Sequence, residues 1–141
     1  METDWGSILE PVRRGLVTRP GCSAAELGDA ENALGVALPP ALVGLLRYSN
    51  GLFDTDAQYW AVWTLAETGK RNPERWSDEA LQLPGTLLGF GDDGAGGWFC
   101  LLTDASDGRV HHLAWIEGTP RVIAPDLASF LPRWLGGDLK V

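Results

Sequence analysis

The sequence predicts an α+β fold in which N-terminal helices and a C-terminal helix flank an antiparallel sheet. Up to Asn50, apolar residues recur at the spacing of helices that bury one face. From Tyr59 onwards, short runs of aromatic and branched residues separated by turn-forming residues indicate strands. Because helices and strands occupy separate parts of the chain, an α+β arrangement is favoured over alternating βαβ units. The 141 residues suit one domain that spans residues 1–141.

Three helices are predicted in the first part of the chain, and each has recognisable end signals. Asp4 can cap the first helix through its carboxylate. The second begins with a capping box at residues 23–26, Ser-Ala-Ala-Glu, and ends at Gly35. The third begins at the Pro-Pro pair of residues 39–40 and stops at the Asn-Gly pair of residues 50–51, which both tolerate positive φ. Residues 15–21 are predicted to form a loop between the first two helices.

A sheet of about five to six antiparallel strands is predicted in the second half. The predicted strands are residues 59–65, 87–90, 98–103, 109–115 and 120–123. Residues 104–108 and 117–118 have the composition of hairpin turns. Residues 66–76 favour a short helix broken near Gly69 and Pro73. Asp126 can cap a final helix that ends at the glycine pair of residues 136–137.

The charge of the chain is strongly negative and unevenly distributed. The formal net charge is −8, and no Lys or Arg lies between Arg47 and Lys70 or between Arg75 and Arg109, whereas both stretches contain acidic residues. An anionic protein repels the phosphate backbone, so direct nucleic-acid binding is not expected. A basic protein partner would be attracted. The alternative is that the acidic residues only maintain solubility.

The chain lacks the signals of a membrane or exported protein. The N-terminal residues have neither the basic region nor the apolar stretch of a signal peptide, and no apolar run approaches the ~18 residues of a membrane span. We therefore expect a cytoplasmic protein. Cys22 and Cys100 are then expected to be reduced thiols, since two cysteines without export do not form a disulfide framework.

No motif in the sequence indicates catalysis, a cofactor or a metal. The glycine-rich residues 89–97 match no nucleotide-binding fingerprint, and the nearby aspartates lack the spacing of a calcium loop. His111 and His112 are adjacent on a predicted strand, so their side chains point to opposite faces. One is expected to be packed or hydrogen-bonded and the other exposed. An enzyme is not expected, although a Ser–His–Asp arrangement assembled only in space stays open.

The aromatic and acidic residues of the sheet are the candidates for partner binding. Trp60 and Trp63 point to opposite faces if their strand is regular, so one of them should be partly exposed, and Trp98 flanks the glycine-rich turn. Exposed aromatics beside acidic groups are typical of protein interfaces. The alternative is that each tryptophan only covers a sheet face. The candidate partner-binding residues are Asp54, Asp56, Tyr59, Trp60, Asp92, Asp93 and Trp98.

Several segments together resemble the SUKH superfamily, which includes many bacterial immunity proteins and a yeast cell-wall synthesis regulator. The resemblance rests on the order and spacing of five features. They are the first helix with Trp5 and Ile8, the Glu-Asn-Ala-Leu-Gly stretch of residues 31–35 before Leu38-Pro39, the helix ending in Asn50-Gly51, the Leu-Gly-Phe-Gly-Asp-Asp-Gly stretch of residues 88–94, and the final helix with Ser129, Phe130 and Leu131.

The resemblance implies a central, strongly curved antiparallel sheet with flanking helices. It also implies a role, since many bacterial relatives bind and neutralise a polymorphic toxin, often a nuclease, encoded beside them. The family has no established catalytic residues. The motif residues Leu38, Pro39, Asn50, Gly51, Gly89 and Gly91 are expected to determine turns and strand junctions. The leading hypothesis is a cytoplasmic immunity protein that binds a basic toxin domain. The alternative is a non-enzymatic regulatory or scaffolding module that binds an endogenous cytoplasmic protein.

Overall fold

The computed structural model describes residues 3–76, 87–103, 108–114 and 118–141. Within these ranges it has five α-helices and seven strands, which confirms the α+β fold. In chain order they are α1 Trp5–Leu9, β1 Leu16–Thr18, α2 Ala24–Leu34, α3 Pro40–Tyr48, β2 Leu52–Asp54, β3 Tyr59–Val62, α4 Leu65–Trp76, β4 Leu87–Asp92, β5 Trp98–Leu102, β6 Val110–Leu113, β7 Arg121–Ala124 and α5 Leu127–Leu135. A short 3₁₀ turn, Glu10–Val12, follows α1.

The strands form two antiparallel sheets, where the sequence predicted one sheet of five to six strands. The first sheet has the order β1-β2-β3 and the second has the order β4-β5-β6-β7. The strands β1 and β2 were not predicted, and β1 lies in the stretch predicted to be a loop. Each has three residues. A strand of that length is too short to show the two-residue alternation by which strands are recognised.

The two sheets adjoin along β3 and β4. The backbone N–H of Trp63, just after β3, donates a hydrogen bond of 2.8 Å to the backbone carbonyl of Phe90 on β4. Gly91 permits this close approach, since a Cβ at that position would overlap the carbonyl oxygen of Ala61. The register of β4 against β5 also shifts between Gly89 and Gly91, and such bulges bend a strand. The predicted sheet is therefore divided at this junction, where Gly89 and Gly91 have the structural role expected of them.

Buried side chains form a main core and a smaller cluster on opposite faces of the second sheet. Alternation along β5 directs Phe99 and Leu101 into the main core, which is shared with the helices. The same alternation directs Trp98 and Cys100 into the second cluster. That cluster consists of Trp63, Leu87, Trp98, Cys100 and Leu113, with Trp60 and Leu102 packed against it. Both faces of β4 and β5 are therefore covered.

The predicted helix caps are confirmed. The Asp4 carboxylate accepts a hydrogen bond from the Ser7 N–H, and that of Asp126 accepts one from the Ser129 N–H. Both hydrogen bonds of the capping box at residues 23–26 are present, and Gly35 adopts a left-handed φ of 76° after α2. The helix α3 ends as predicted just before residues 50–51, where Gly51 has a φ of 88°.

The helix α4 is continuous, which corrects the prediction of a short helix broken near Gly69 and Pro73. Its start is fixed by two side chains from outside the helix, because Asn50 Oδ1 accepts from the Leu65 N–H and Thr64 Oγ1 accepts from the Glu67 N–H. Further along, the Asn72 side chain is hydrogen-bonded to the backbone of Gly89 on β4, and such tertiary contacts outweigh the low helix propensities of glycine and proline. Asn50, which follows the Ser49 C-cap of α3, thus fixes the start of α4.

Parts of three predictions lie outside the described residues. These are the turn residues 104–107, together with residues 115–117 at the end of a predicted strand and in the second turn. Within the described ranges, none of the helices has both the length and the apolar composition that crossing a membrane requires.

Candidate partner-binding surface

The turn between β4 and β5 is organised by its two aspartates. Asp92 Oδ1 accepts a hydrogen bond of 2.8 Å from the Gly94 N–H. Asp93 Oδ1 accepts from the N–H groups of Ala95 at 2.7 Å and Gly97 at 2.9 Å. The glycine-rich turn is therefore held by carboxylates within it, which is the turn-forming role expected of aspartate.

Asp93 also pairs with His112 beneath this turn. The Asp93 Oδ2 and His112 Nε2 atoms are 2.8 Å apart, and the two side chains are only 9% and 8% exposed. Burial alone would raise the pKa of Asp93. The hydrogen bonds from His112, Ala95 and Gly97 and the charge of His112 outweigh burial and keep the pKa below its ordinary value of 3.8. His112 meets the prediction that one of the two adjacent histidines is packed or hydrogen-bonded, whereas His111 is half-buried and not exposed as predicted for the other.

Tyr59 lies at the centre of a group of carboxylates. A Cβ on Gly94 would be 3.7 Å from its ring, and its hydroxyl accepts a hydrogen bond of 2.7 Å from Trp134 Nε1 on α5. Burial raises the pKa of Tyr59 to about 12, and the negative charges of Asp54, Asp92 and Asp93 act in the same direction. The structure therefore brings four of the seven predicted residues together, and we call Asp54, Tyr59, Asp92 and Asp93 the acidic cluster.

Asp54 and Asp56 belong to the turn between β2 and β3. Asp54 Oδ1 accepts from the N–H groups of Asp56 at 2.9 Å and Ala57 at 3.1 Å. Asp56 is exposed, and its carboxylate lies against Gly15 just before β1. Within the described residues, Asp54, Asp56 and Asp92 take part in no ion pair. These carboxylates therefore remain available to a cationic partner.

Trp60 lies apart from the acidic cluster, because its neighbour Tyr59 points to the other face of β3. It is half-buried and contacts Phe53 edge-on at 5.1 Å between ring centroids. The guanidinium of Arg19 lies over its ring at 5.9 Å. Trp60 thus presents part of an aromatic surface on the outer face of the first sheet.

Trp98 is buried, with 6% of its surface exposed. It packs edge-on against Trp63 at 4.7 Å, and the guanidinium of Arg75 lies over its ring at 5.6 Å. A second guanidinium, that of Arg71, lies over Trp63 at 5.0 Å. The position of Trp98 fits the alternative of a tryptophan that covers a sheet face, and it adds little to an exposed surface.

Trp60 and Trp63 pack in the same cluster, which corrects the expectation that they lie on opposite faces. That expectation assumed a regular strand. Instead, Trp60 pairs with Phe53 and Val62 pairs with the adjacent Leu52, so Ala61 is an extra residue in β3. A bulge of one residue reverses the alternation that follows it. The expected difference in exposure holds, since Trp63 is buried and Trp60 is half-buried.

Neither the thiols nor the acidic groups of the described residues form a reactive or metal-binding arrangement. Cys22 and Cys100 are buried free thiols, and burial raises the pKa of both. Among the residues that the structure describes, no three His, Cys, Asp or Glu side chains converge to hold a metal ion.

A groove of about 930 Å³ between α1 and α3 is separate from the acidic cluster. Its lining includes Asp4, Trp5, Gly44 and Tyr48. Asp4 is engaged as the cap of α1, and its hydrogen bonds to Ser7 lower its pKa. The Trp5 Nε1 atom has no hydrogen-bond partner among the described residues, but it is fully buried and is not exposed to a ligand in the groove.

Sequence reasoning missed two residues beside Trp60. Val17 and Phe53 share its sheet face, and Val17 is 43% exposed. Both lie on the short strands that were not predicted. The Leu-Phe pair at residues 52–53 immediately after Gly51 was the available signal, because an apolar pair after a helix stop can begin a strand.

Comparison with known proteins identifies the family. A model of the SMI1/KNR4 family (SUKH-1) matches residues 21–133, which extend from just before α2 into α5. No curated protein matches the chain. Members of this family are generally non-enzymatic immunity proteins, and the family supports an immunity-like or regulatory module that binds another protein. Because the match covers most of the chain and agrees with the α+β fold, the protein belongs to the SMI1/KNR4 family (SUKH-1).

Proposed function

We propose that this protein is a cytoplasmic immunity protein that binds a basic toxin domain, a nuclease in particular, and covers its active or nucleic-acid-binding surface. The observation that carries the proposal is the acidic cluster. It places three carboxylates around Tyr59, and two of them, Asp54 and Asp92, make no ion pair within the described residues. Membership of the SMI1/KNR4 family supports the same conclusion.

The chemistry of a nuclease explains why an acidic binder suits it. A nuclease needs a cationic surface to hold phosphates, and a protein with a net charge of −8 competes for that surface. Long-range attraction between the two proteins also accelerates their encounter. Inhibition then requires neither a catalytic residue nor a cofactor of the immunity protein, and neither nucleic acid nor membrane is a direct partner.

The test uses the toxin domain encoded beside the gene for this chain, which is co-expressed in cells for survival and purified for binding measurements. Cells that express the toxin domain should survive only when this protein is co-expressed. The double variant D54N/D92N should bind roughly fivefold to tenfold more weakly, chiefly through slower association, because both substitutions remove charge but keep an acceptor oxygen in each turn. The matched control is D29N, which removes one exposed carboxylate from α2.

Salt provides the second arm of the test. Binding of the wild-type protein should weaken as ionic strength rises from about 0.01 M to about 0.15 M, since screening shortens the range of the attraction. Affinity that is unchanged by salt and by D54N/D92N would contradict the electrostatic mechanism. Absence of both binding and rescue would contradict the immunity function.

A regulatory or scaffolding module is the second candidate, and membership of a family named after SMI1 and KNR4 favours it. Such a protein would use its surface to bind an endogenous cytoplasmic protein. It would then rescue no cell from the neighbouring toxin, so the co-expression experiment separates the two functions.

A further inference from the structure

We infer that the outer face of the first sheet is the apolar centre of the partner interface and receives an apolar side chain flanked by a Lys or Arg of the toxin domain. Val17, Phe53 and Trp60 form this surface, which we call the apolar row. The inference rests on the proposed function and specifies how the partner is held. An acidic cluster alone increases the association rate more than the affinity, so tight binding needs an apolar anchor as well.

The apolar row follows from the strand register. Val17 is opposite Phe53 in the pairing of β1 with β2, and Phe53 is opposite Trp60 in the pairing of β2 with β3. Directly opposite residues share a face and lie side by side. The alternate residues Leu16 and Leu52 point the other way, into the main core. One aliphatic and two aromatic side chains therefore cross the outer face of all three strands.

This face is less covered than its continuation on the second sheet. A guanidinium lies over each tryptophan of this face, Arg19 over Trp60 and α4 residues Arg71 and Arg75 over Trp63 and Trp98, but on the second sheet both tryptophans are also buried. Trp60 packs at the end of the same cluster but is only half-buried. Val17, at the far end of the apolar row, is 43% exposed. Solvent exposure thus increases from the second sheet towards β1.

Two observations indicate the chemistry of the partner. The Arg19 guanidinium already lies over the Trp60 ring, so this ring has its own cation and the apolar row offers the partner an apolar contact rather than a second cation site. At the β1 end, the exposed Asp56 carboxylate lies against Gly15, two residues before Val17, and makes no ion pair within the described residues. A cationic side chain beside an apolar one would complement this arrangement.

The same charges argue against a second copy of the chain as the occupant. Two copies would each have a net charge of −8 and would repel one another. A basic toxin domain meets both requirements, since it is attracted by the net charge and can place a Lys or Arg against Asp56.

The experiment compares two exposed valines on edge strands. V17S changes the apolar row, whereas V122S makes the same change on β7, where Val122 is 47% exposed. Binding of the purified toxin domain encoded beside the gene is measured by surface plasmon resonance, and thermal unfolding shows whether both variants fold equally well. We expect V17S to weaken binding roughly tenfold, mainly through faster dissociation, and V122S to change it by less than about twofold.

Hydrogen exchange of the complex gives an independent readout. The backbone amides of residues 16–18, 52–54 and 59–62 should exchange more slowly when the toxin domain is bound. If the wild-type protein binds but V17S matches V122S and these amides are unprotected, the inference is wrong while the proposed function stands. If the wild-type protein does not bind the toxin domain, the proposed function fails and the inference fails with it.

Discussion

Asp93 is nearly buried, yet its charge organises the turn between β4 and β5. Its carboxylate receives hydrogen bonds from two backbone N–H groups of the turn and pairs with His112 on β6. A buried carboxylate is stable only when its oxygen atoms are satisfied in this way. Gly97 is required at the same place, because a Cβ there would collide with the Asp93 carboxylate and lie 2.8 Å from His112 Nε2.

The variant D93N should lower the free energy of unfolding at pH 7 by about 2–3 kcal/mol, because it removes the charge from a buried pair. The folded pKa of Asp93 lies below its ordinary value of 3.8, so the stability that its charge contributes is present above that value. This stability is lost as the pH falls through the folded pKa. The difference between wild type and D93N should therefore shrink between about pH 5 and pH 3 in urea unfolding experiments.

The exposed variant D29N serves as the control for D93N and should unfold with nearly wild-type stability at each pH. A D93N difference that stayed constant down to pH 3 would show that the Asp93 charge does not stabilise the fold.

Of the individual residues of the candidate site, the sequence predicted the packing of some and not the partners that hold them. That one of the two adjacent histidines would be packed followed from strand alternation. Its partner could not be predicted, because Asp93 and His112 are 19 residues apart and meet only through the register of β4, β5 and β6. The burial of Trp98 likewise depends on the position of α4, whose Arg75 lies over the ring.

At the scale of elements, α4 takes the place of a further strand beside part of β4. The Asn72 side chain is fully buried, and it both accepts a hydrogen bond from the Gly89 N–H at 2.7 Å and donates one to the Gly89 carbonyl at 2.9 Å. One turn further along, Trp76 Nε1 donates to the carbonyl of Leu87. Backbone groups on this edge of β4 are thereby satisfied by a helix.

The variant N72A should lower the free energy of unfolding by about 2–4 kcal/mol, since it leaves a buried N–H and a buried carbonyl of Gly89 without the amide partner. Asn32 provides the matched control, because it is exposed on α2 and N32A should change stability by less than about 1 kcal/mol. Chemical denaturation of both variants measures the difference. Equal stability of N72A and N32A would mean that water replaces the Asn72 amide without cost.

Elements with local end signals were predictable, whereas elements held by distant partners were not. The caps Asp4, Ser23 and Asp126 act within three residues of the groups they satisfy, so the sequence alone reveals them. The helix α4 depends on Asn50 and on β4, which only the fold brings near. For the same reason β1, which is stabilised by pairing with β2, could not be recognised from three residues.

For the whole molecule, the junction of the two sheets is the place where the backbones come closest. A side chain at Gly91 would overlap the Ala61 carbonyl on β3. The junction is central, because the first sheet is joined through it to the sheet that packs against α5. The sequence indicated that Gly91 belongs to a strand junction, but the division into two sheets depends on bulges in β3 and β4 that have no sequence signal.

The variant G91A should be severely destabilised, by about 3 kcal/mol or more, because the added methyl group must displace the backbone of a neighbouring strand. The matched control is G28A, since a Cβ at Gly28 meets nothing within 4 Å. G28A should stabilise α2 by up to about 1 kcal/mol, as alanine is the better helix former. Thermal unfolding of the two variants should therefore shift in opposite directions, and a G91A protein as stable as wild type would refute this account of the junction.

The outermost strands are short, with three residues in β1 and four in β7, and β7 is flanked by Pro120 and Pro125, which have no N–H to donate. Such edges offer a stray strand little backbone to extend and so discourage aggregation. Selection for a new ligand would then act on outward-facing side chains such as Val17 rather than on backbone pairing. Specificity could diverge rapidly among descendants of this scaffold while the fold itself is inherited unchanged.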